Sequence, residues 1–400
     1  MSSEDRPLRP DTMLVAGGGP PPMPWPSGMS SPLFQSVTYD LDSRAYADIK
    51  RSGGDDTWWY TRLRNPTIEA VAGKLAHLEG ADDAVLLSSG MAAIATTLLA
   101  LLPPGGRVVA SRDLYGDVFT LLSRELPRHG RTAAFVAIDD LGGWERELSA
   151  GADLIYVETL SNPMLRVADL DALADLAHRS GALAVADATF TPPTELRAVE
   201  HGFDVVLHSA TKYLNGHSDV VAGVVAGRAA PMETVRAQAS ILGGCIDPHA
   251  AWLLERGLKT LAVRMERSRS TAARLSAALA DHPEVEAVAH VSLPDHPDTE
   301  LAARLLNGGC ALLSFRVRGG DARALSLLGC LTIIREATSL GGVETLASAP
   351  FNTSHLGLTP DQRAAAGILP GTIRLSVGIE DADDLRADLE GALESSRSAR

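Results

Sequence analysis

Residues 203–217 read FDVVLHSATKYLNGH, and this stretch decides how the rest of the chain is interpreted. A near-continuous apolar run ends at Ser209, and Lys212 follows three residues later. Such runs are typical of strands that are covered on both faces of a parallel sheet. Open α/β sheets bind ligands beyond the strand ends, which is where Lys212 would lie. Taken alone, the position also suits a surface lysine whose charged end reaches solvent.

A second strand end, ALAVADATF at residues 182–190, finishes with Asp187. A carboxylate at the end of a buried strand needs a cationic or hydrogen-bonding partner. A protonated ring nitrogen is one such partner, and a turn or helix cap is the other explanation. An imine-forming lysine needs a lowered pKa, which a desolvated position facing a cofactor provides. Asp187 and Lys212 therefore predict a site for a nitrogen heterocycle that carries an aldehyde.

The earlier segment AVLLSSGMAAIATTLL joins a predicted strand to a helix through Ser89, Gly90 and Met91. The free amides and the positive end of a helix N-terminus suit a phosphate, although turns of this form are also common connectors. Tyr115, in DLYGD, supplies a ring that can stack on a flat cofactor. In YTRLRNPT, Tyr60 and Arg62 come from an irregular N-terminal arm, and Arg62 suits a phosphate unless it is a plain surface arginine.

Strands and helices alternate over the middle of the chain, which predicts an α/β domain with a mainly parallel sheet. Helices are predicted at 92–102 and 170–180. A long helical stretch at 248–280, interrupted at Gly257, precedes a smaller α+β domain with helices ending near Ser395. The predicted strands are 84–88, 107–110, 133–137, 154–158, 183–187, 205–209 and 220–226 in the large domain, then 311–317, 332–335 and 372–377.

The division into parts is based on composition. Residues 1–60 are rich in Gly and Pro, carry little helical periodicity and are interpreted as an arm. Residues 61–250 are predicted to form the cofactor-binding domain, and residues 251–400 the C-terminal domain.

The overall composition excludes several classes of protein. The formal net charge of −14 argues against a nucleic-acid partner. No apolar run is long enough to cross a membrane and no signal peptide is evident, so a cytoplasmic protein is expected. Cys245, Cys310 and Cys330 have no metal-ligand spacing, so no metal site is predicted.

With these segments assembled, the chain resembles the transsulfuration family of pyridoxal 5'-phosphate (PLP) enzymes, which act in cysteine and methionine metabolism. The family includes cystathionine γ-synthase, cystathionine γ-lyase, methionine γ-lyase and the O-acylhomoserine sulfhydrylases. The resemblance implies PLP as cofactor and the aspartate aminotransferase-like fold of PLP-dependent transferases. It rests on PLFQSVTYD, YTRLRNPT, SSGMAA, ETLSNPM, ADATF, SATKYLNGHSDVVAG, SLGGVETL and RLSVGIEDADDL, in the family's order and spacing.

The resemblance also implies roles for individual residues. Lys212 would form the Schiff base and move protons, with Tyr115 and Tyr60 as further catalytic groups. Tyr60 and Arg62 would reach into a neighbouring subunit's site, which implies a homodimer and commonly a dimer of dimers. The residues implied to bind cofactor are Tyr60, Arg62, Ser89, Gly90, Met91, Tyr115, Asn162, Asp187, Thr189, Ser209, Thr211 and Lys212. Those implied to bind the small amino-acid substrate are Asn162, Ser339, Arg374, Asp117, Thr120 and Thr338.

Several positions depart from the family pattern. Asp117 stands where Gly or Cys is common, Thr120 where cystathionine-processing members carry arginine, and Thr338 where lyases often carry glutamate. Ala188 replaces an asparagine, and the arm segment ADIKRSGGDDTWW has no obvious counterpart. These positions argue against cystathionine and favour a distal substrate group that is uncharged or cationic.

Two reactions remain open. The first is a β- or γ-elimination that cleaves a C–S or related bond of a sulfur-containing or homoserine-type amino acid. The second is a γ-replacement, as in cystathionine γ-synthase or an O-acylhomoserine sulfhydrylase. A non-catalytic assembly protein is the alternative from another class, but the intact Lys212, Asp187, Tyr115 and Arg374 argue against it.

Overall fold

The computed structural model describes residues 9–16, 28–52 and 57–398. Twelve strands among these residues form two sheets. The strands are β1 (Asp83–Leu87), β2 (Arg107–Ser111), β3 (Thr132–Val136), β4 (Leu154–Glu158), β5 (Leu183–Asp187), β6 (Val205–Ser209), β7 (Gly223–Gly227), β8 (Val285–Ala289), β9 (Leu312–Val317), β10 (Arg335–Glu336), β11 (Leu346–Ser348) and β12 (Thr372–Ser376).

The first sheet has the order β1-β7-β6-β5-β4-β2-β3. Strands β3, β2, β4, β5 and β6 run parallel, and β7 lies antiparallel between β6 and β1. Apolar side chains on β4 and β5 are buried on both faces of the sheet, which confirms the prediction of a mainly parallel sheet. Because parallel strands end at one edge, Glu158, Asp187 and Ser209 meet there.

Fifteen α-helices occur among the described residues, and several of them cover the first sheet. They are α1 (Pro10–Ala16), α2 (Ser43–Ser52), α3 (Pro66–Glu79), α4 (Gly90–Leu101), α5 (Gly116–Thr120), α6 (Leu126–Arg128), α7 (Leu141–Ser149), α8 (Leu170–Arg179), α9 (Ala229–Leu242), α10 (Pro248–Leu258), α11 (Leu261–Ala280), α12 (Thr299–Leu305), α13 (Gly320–Leu328), α14 (Pro360–Ala365) and α15 (Ala382–Ser395). A π-helical turn spans Leu121–Glu125, and 3₁₀ turns span Ala198–His201, Pro350–Asn352 and Ser396–Ser398.

The second sheet has the order β10-β11-β12-β9-β8 and packs against α11 and α13, which in turn contact α15. Its antiparallel core of β11, β12, β9 and β8 carries apolar side chains into a separate buried cluster. This sheet lies between residues 285 and 376, after all strands of the first. The boundaries at residues 60 and 250 stay predictions.

The N-terminal arm is more helical than its composition predicts. The expectation of little helical structure is wrong for α1 and α2. Asp42 Oδ1 accepts hydrogen bonds from the amides of Arg44 and Ala45, which is how an N-cap begins a helix such as α2. Residues 17–27, most of the Gly- and Pro-rich stretch, and residues 53–56 of the arm insertion lie outside the described residues.

The predicted long helix at 248–280 is divided at Lys259 and Thr260 into α10 and α11. The Gly257 carbonyl accepts hydrogen bonds from Thr260 and from the buried Arg264, which also donates to the Tyr213 carbonyl. A Cβ atom at Gly257 would lie 2.2 Å from the Asn215 carbonyl oxygen. The break therefore packs against the loop that comes after Lys212.

The predicted strand at 332–335 is also wrong, since the strand begins only at Arg335. The Asp388 carboxylate accepts hydrogen bonds from the amides of Thr332, Ile333 and Ile334, so these amides are satisfied without a partner strand. The sequence pattern also missed β8, an edge strand of the second sheet, and β11, a short inner strand.

Candidate active site

A cavity of about 660 Å³ lies at the carboxyl edge of the first sheet. Its walls come from the ends of β4, β5 and β6, from the start of α4, and from segments around residues 338–340, 352–354 and 374. The sequence-predicted residues that it brings together are Ser89, Gly90, Met91, Tyr115, Asn162, Asp187, Thr189, Ser209, Thr211, Lys212, Thr338, Ser339 and Arg374.

One end of the cavity has the features of an anion site. Ser89 caps α4 by accepting a hydrogen bond from the Ala92 amide at 3.0 Å, and the amides of Gly90 and Met91 open the first helical turn. A Cβ atom at Gly90 would lie 2.7 Å from Ser209 Cβ, so only glycine allows this close approach. The helix N-terminus therefore lies directly beside the strand end that carries Ser209 and Thr211.

Asp187 ends β5 and is only 8% exposed. Its Oδ1 accepts a hydrogen bond from the Thr189 amide at 3.0 Å, and its Oδ2 accepts one from the Tyr156 hydroxyl at 3.1 Å. Thr189 Oγ1 in turn accepts a hydrogen bond from the Ser209 amide at 2.8 Å. The carboxylate is thus held in one orientation at the cavity wall, and Thr189 ties together two neighbouring strand ends.

Lys212 extends into the cavity, where its Nζ donates a hydrogen bond to Ser339 Oγ at 2.7 Å. Burial, and then the positive charge of Arg374, lower the pKa of Lys212 from 10.5 to about 8. The neutral, nucleophilic fraction of the amine is therefore much larger than for an ordinary lysine, and it becomes the major form above about pH 8. Ser339 has a φ of 80°, a conformation that costs energy for a residue other than glycine and that clusters at functional sites.

Arg374 on β12 is 5% exposed and faces the same cavity. It donates to Asn162 Oδ1 at 3.2 Å and to the Ser339 carbonyl at 2.8 Å, both of them neutral acceptors. Among the described atoms its Nε has no hydrogen-bond partner. Burial lowers the pKa of Arg374 to about 10, so it stays cationic at neutral pH. A buried guanidinium with an unused donor is a site for a carboxylate.

Tyr115 forms part of the wall through its half-exposed ring. Its backbone N–H donates to Glu158 Oε1 at 2.6 Å, and its hydroxyl donates to Asp117 Oδ2 at 2.8 Å. Burial, and then the hydrogen bond to Asp117, raise the pKa of Tyr115 to about 12. The phenol therefore keeps its proton at neutral pH.

Four predicted residues do not line the cavity of their own chain. Asp117 contacts the lining only through the Tyr115 hydroxyl, and the other three lie farther away. Tyr60 forms an isolated bridge with Thr38, and Arg62 donates to the Ser240 carbonyl while its guanidinium lies 5.5 Å from the Tyr60 ring. Thr120 donates back to the Gly116 carbonyl at 2.9 Å, on the exposed side of α5. A role of Tyr60 and Arg62 in a neighbouring subunit stays a prediction.

Sequence reasoning missed four polar cavity residues: Glu158, Asn352, Thr353 and Ser354. Glu158 ends β4 as Asp187 ends β5, so the rule that selected Asp187 would have selected it too. The residues at 352–354 lie at and after a 3₁₀ turn in a polar segment that has no periodic pattern, and no local signal marks them.

The described part of the chain contains no cluster of three or more side chains that could hold a metal ion. None of its helices is long and apolar enough to span a membrane.

Comparison with known proteins gives concordant matches. A family model described as Cys/Met metabolism PLP-dependent enzyme matches residues 11–394. The chain is 38% identical to L-methionine gamma-lyase of Pseudomonas deceptionensis over 367 residues, 91% of this chain and 92% of the relative. It is 37% identical to O-succinylhomoserine sulfhydrylase of Pseudomonas aeruginosa over 361 residues, 90% of each.

Among solved structures, cystathionine gamma synthase from Xanthomonas oryzae pv. oryzae, in complex with aminoacrylate and cysteine, superimposes with a TM-score of 0.93. The two chains are 34% identical, and the match covers 99% of this chain and 100% of the other. The expected fold, with a large parallel-sheet unit and a second sheet towards the C-terminus, is therefore confirmed.

Proposed function

The chain belongs to the Cys/Met metabolism family of PLP-dependent enzymes, and from this premise we propose that it catalyses an elimination. The reaction would cleave a C–S or related bond at Cβ or Cγ of a sulfur-containing or homoserine-type amino acid. The observation that carries the proposal is the amine of Lys212, whose pKa is lowered to about 8. It lies in one cavity with the buried carboxylate of Asp187 and the buried guanidinium of Arg374.

The residues present fit PLP. The amides at the start of α4, with Ser209 and Thr211, would take its phosphate, and Asp187 would hold its ring nitrogen. Lys212 Nζ would attach to its aldehyde carbon, with Asn162 close to the ring oxygen. When bound, PLP supplies an electron sink for the negative charge that develops on the substrate.

The other steps fall to side chains of the chain itself. Arg374 Nε and Asn162 would hold the substrate carboxylate, which fixes the Cα–H bond toward Lys212. The freed Lys212 amine would remove that proton, with Ser339 Oγ orienting it. The Tyr115 hydroxyl, protonated at neutral pH, would deliver a proton to the departing group.

Replacement by an external nucleophile is the second candidate, because the relatives include an O-succinylhomoserine sulfhydrylase as well as methionine gamma-lyases. The two reactions differ in what they need. Elimination converts one substrate and water into the free leaving group, a 2-keto acid and ammonia. Replacement gives product only when donor and nucleophile are both present. A keto-acid assay over thioether and O-acyl amino acids, with and without added thiol, tests the proposal. If no amino acid in the panel gave keto acid in the absence of thiol, elimination would be refuted.

The distal part of the substrate would be uncharged or cationic. Among the described residues that line the cavity, Lys212 and Arg374 carry positive charge and both are already assigned. The other lining side chains are neutral polar, apolar or acidic. The Asp117 carboxylate lies next to this lining and accepts the Tyr115 hydroxyl. This arrangement supports a thioether or amine-bearing substrate over one with a second carboxylate.

The active unit would be a homo-oligomer, a dimer or a dimer of dimers, in the cytoplasm. Tyr60 and Arg62 lie outside their own cavity, which supports a role in a neighbouring one, and the free thiols Cys245, Cys310 and Cys330 suit a reducing compartment. Mixing inactive Tyr60→Phe and Lys212→Ala chains tests the shared site, since hybrids would contain one intact site. No recovery in hybrids of demonstrated mixed composition would refute it.

A further inference from the structure

Glu158 is a buried acid for which the proposed reaction has no use. It ends β4 directly beside Asp187, its register partner at the end of β5, and it is 6% exposed. Both side chains belong to the cavity wall. A buried carboxyl group at this position is costly unless it has a function or a fixed partner.

The fixed partner is the main chain of Tyr115. Glu158 Oε1 accepts the Tyr115 amide N–H at 2.6 Å, at the point where the loop after β2 enters α5. On the other side, a Cβ atom at Gly116 would lie 2.6 Å from the Ser354 carbonyl oxygen. The backbone that carries the Tyr115 ring is thus held between a strand end of the sheet and the segment at 352–354.

Charge around Glu158 is mostly negative. Burial, and then Asp187, hold the pKa of Glu158 well above its usual value, with Asp113 adding to this and the Tyr115 amide opposing it. Tyr156, on its own strand, donates its hydroxyl to Asp187, and Asp113 also has a raised pKa through burial, offset by Arg166 and Arg112. Two neighbouring buried carboxyl groups do not both ionise at neutral pH without strong compensation.

We propose that Glu158 is a positioning residue that fixes Tyr115 through its main-chain N–H and faces Asp187 as a neutral acid. The proposal rests on the proposed function, in which Asp187 holds the ring nitrogen, and on the sequence prediction that the Tyr115 ring stacks on the cofactor. With Glu158 neutral, Asp187 presents the single negative charge of this strand pair to the ring. The ring nitrogen would then contact one carboxylate in one orientation. Glu158 would also fix the position of the Tyr115 backbone, and with it the position of the ring that stacks on the cofactor.

The test compares three variants of the PLP-loaded enzyme. Glu158→Gln keeps an oxygen acceptor and stays neutral, Glu158→Leu removes the acceptor, and Glu125→Gln is an exposed control. Three quantities are measured: the Kd for PLP, the pH midpoint of the cofactor's visible absorption, and the infrared carbonyl stretch of a protonated carboxylic acid. One component of the infrared band should be present in the wild type, absent in Glu158→Gln and unchanged in Glu125→Gln.

Glu158→Gln should leave the Kd for PLP within about twofold of the wild type and the pH midpoint of the cofactor absorption close to the wild-type value. Glu158→Leu should weaken PLP binding about tenfold, because it removes one hydrogen bond at a buried site. A midpoint that moves by about a full pH unit in Glu158→Gln, with the same carboxylic-acid band in this variant and the wild type, would overturn the neutral acid. An unchanged Kd in Glu158→Leu would overturn the positioning role.

The separate measurements distinguish failure of this proposal from failure of a variant to fold and from failure of the proposed function. If Glu158→Leu does not fold, the infrared band and the midpoint of Glu158→Gln still decide the charge, and the Kd of Glu158→Ala replaces the missing measurement. If the wild type binds no PLP, the proposed function fails, while the infrared band of the protein alone still reports the protonation of Glu158.

Discussion

Lys212 Nζ and Ser339 Oγ lie 2.7 Å apart, and the carbonyl of the same serine accepts a hydrogen bond from Arg374 at 2.8 Å. One residue therefore contacts both the amine that would take the cofactor and the guanidinium that would take the substrate carboxylate. Ser339 is held in a strained backbone conformation between them. The distance between the two cationic groups is thereby fixed before any ligand binds, and their mutual repulsion contributes to the lowered pKa of Lys212.

Attachment of PLP to the apoenzyme should depend on pH through Lys212. Only the neutral amine attacks an aldehyde, so the attachment rate should rise with pH and level off above about 8, the pKa of Lys212. Arg374→Gln should move this midpoint to higher pH because it removes the second cause of the lowered pKa, while burial remains. Stopped-flow absorbance over a pH series measures both, and an unchanged midpoint in Arg374→Gln would contradict the account.

The same pKa predicts the direction of apoenzyme stability. The folded-state pKa of about 8 lies below the ordinary value of 10.5, so the folded form binds fewer protons at Lys212 between these values. This contribution to stability is fully present above 10.5 and is lost as the pH falls through 8. In Lys212→Met apoenzyme, the pH dependence of the unfolding midpoint in this window should be weaker than in the wild type.

Gly90→Ala should weaken PLP binding about tenfold or more, because the added methyl group meets Ser209 Cβ at 2.7 Å and separates α4 from the strand end. The matched control is Gly73→Ala in α3, where a Cβ atom meets nothing within 4 Å. That control should bind PLP normally and gain about 0.5–1 kcal/mol of stability from helix propensity. Equal PLP affinity in the two variants, measured by titration, would show that the start of α4 does not hold the phosphate.

Asp117→Asn should change substrate preference without destroying the site. Loss of one surface carboxylate should lower kcat/KM about tenfold for a thioether amino acid with a distal amine, and less than about twofold for methionine. The pKa of Tyr115 should also fall from about 12, since Asp117 is one cause of its elevation. A uniform loss across both substrates, with an unchanged tyrosine titration, would contradict a role of Asp117 in specificity.

Glu255→Ala should destabilise the protein by about 3 kcal/mol, because it leaves the ammonium of Lys74 buried without its partner. The pair joins α3 to α10 at 3.4 Å with both side chains almost fully buried. Glu125→Ala removes the exposed partner of Arg128 and should cost less than about 0.5 kcal/mol. Denaturant unfolding measures the free energy of unfolding of the two variants. Equal losses of this free energy would contradict the account.

The sequence was most informative where a strand ends in a polar residue. Asp187 and Lys212 were predicted because buried apolar runs define the strands, and parallel strands bring the residues at their carboxyl ends to one edge. The same reasoning predicted the start of α4. The parallel sheet and most of the polar lining of the cavity could therefore be derived from local pattern and fold rules.

Contacts between distant segments could not be derived in this way. The strand predicted at 332–335 was wrong because Asp388, more than fifty residues later, satisfies its amides. The helix predicted at 248–280 was divided because Arg264 folds back onto Gly257 and onto the loop after Lys212. Such choices depend on tertiary hydrogen bonds, which no local window contains.

The central claim is that Lys212 is the residue to which PLP attaches, and reductive trapping tests it most directly. The chain has four lysines, Lys50, Lys74, Lys212 and Lys259. After borohydride reduction of the PLP-loaded enzyme and proteolysis, mass spectrometry should find the cofactor on the peptide containing Lys212, in the wild type and in the Lys259→Ala control. A label on another lysine, or a label that persists in Lys212→Ala, would contradict the account.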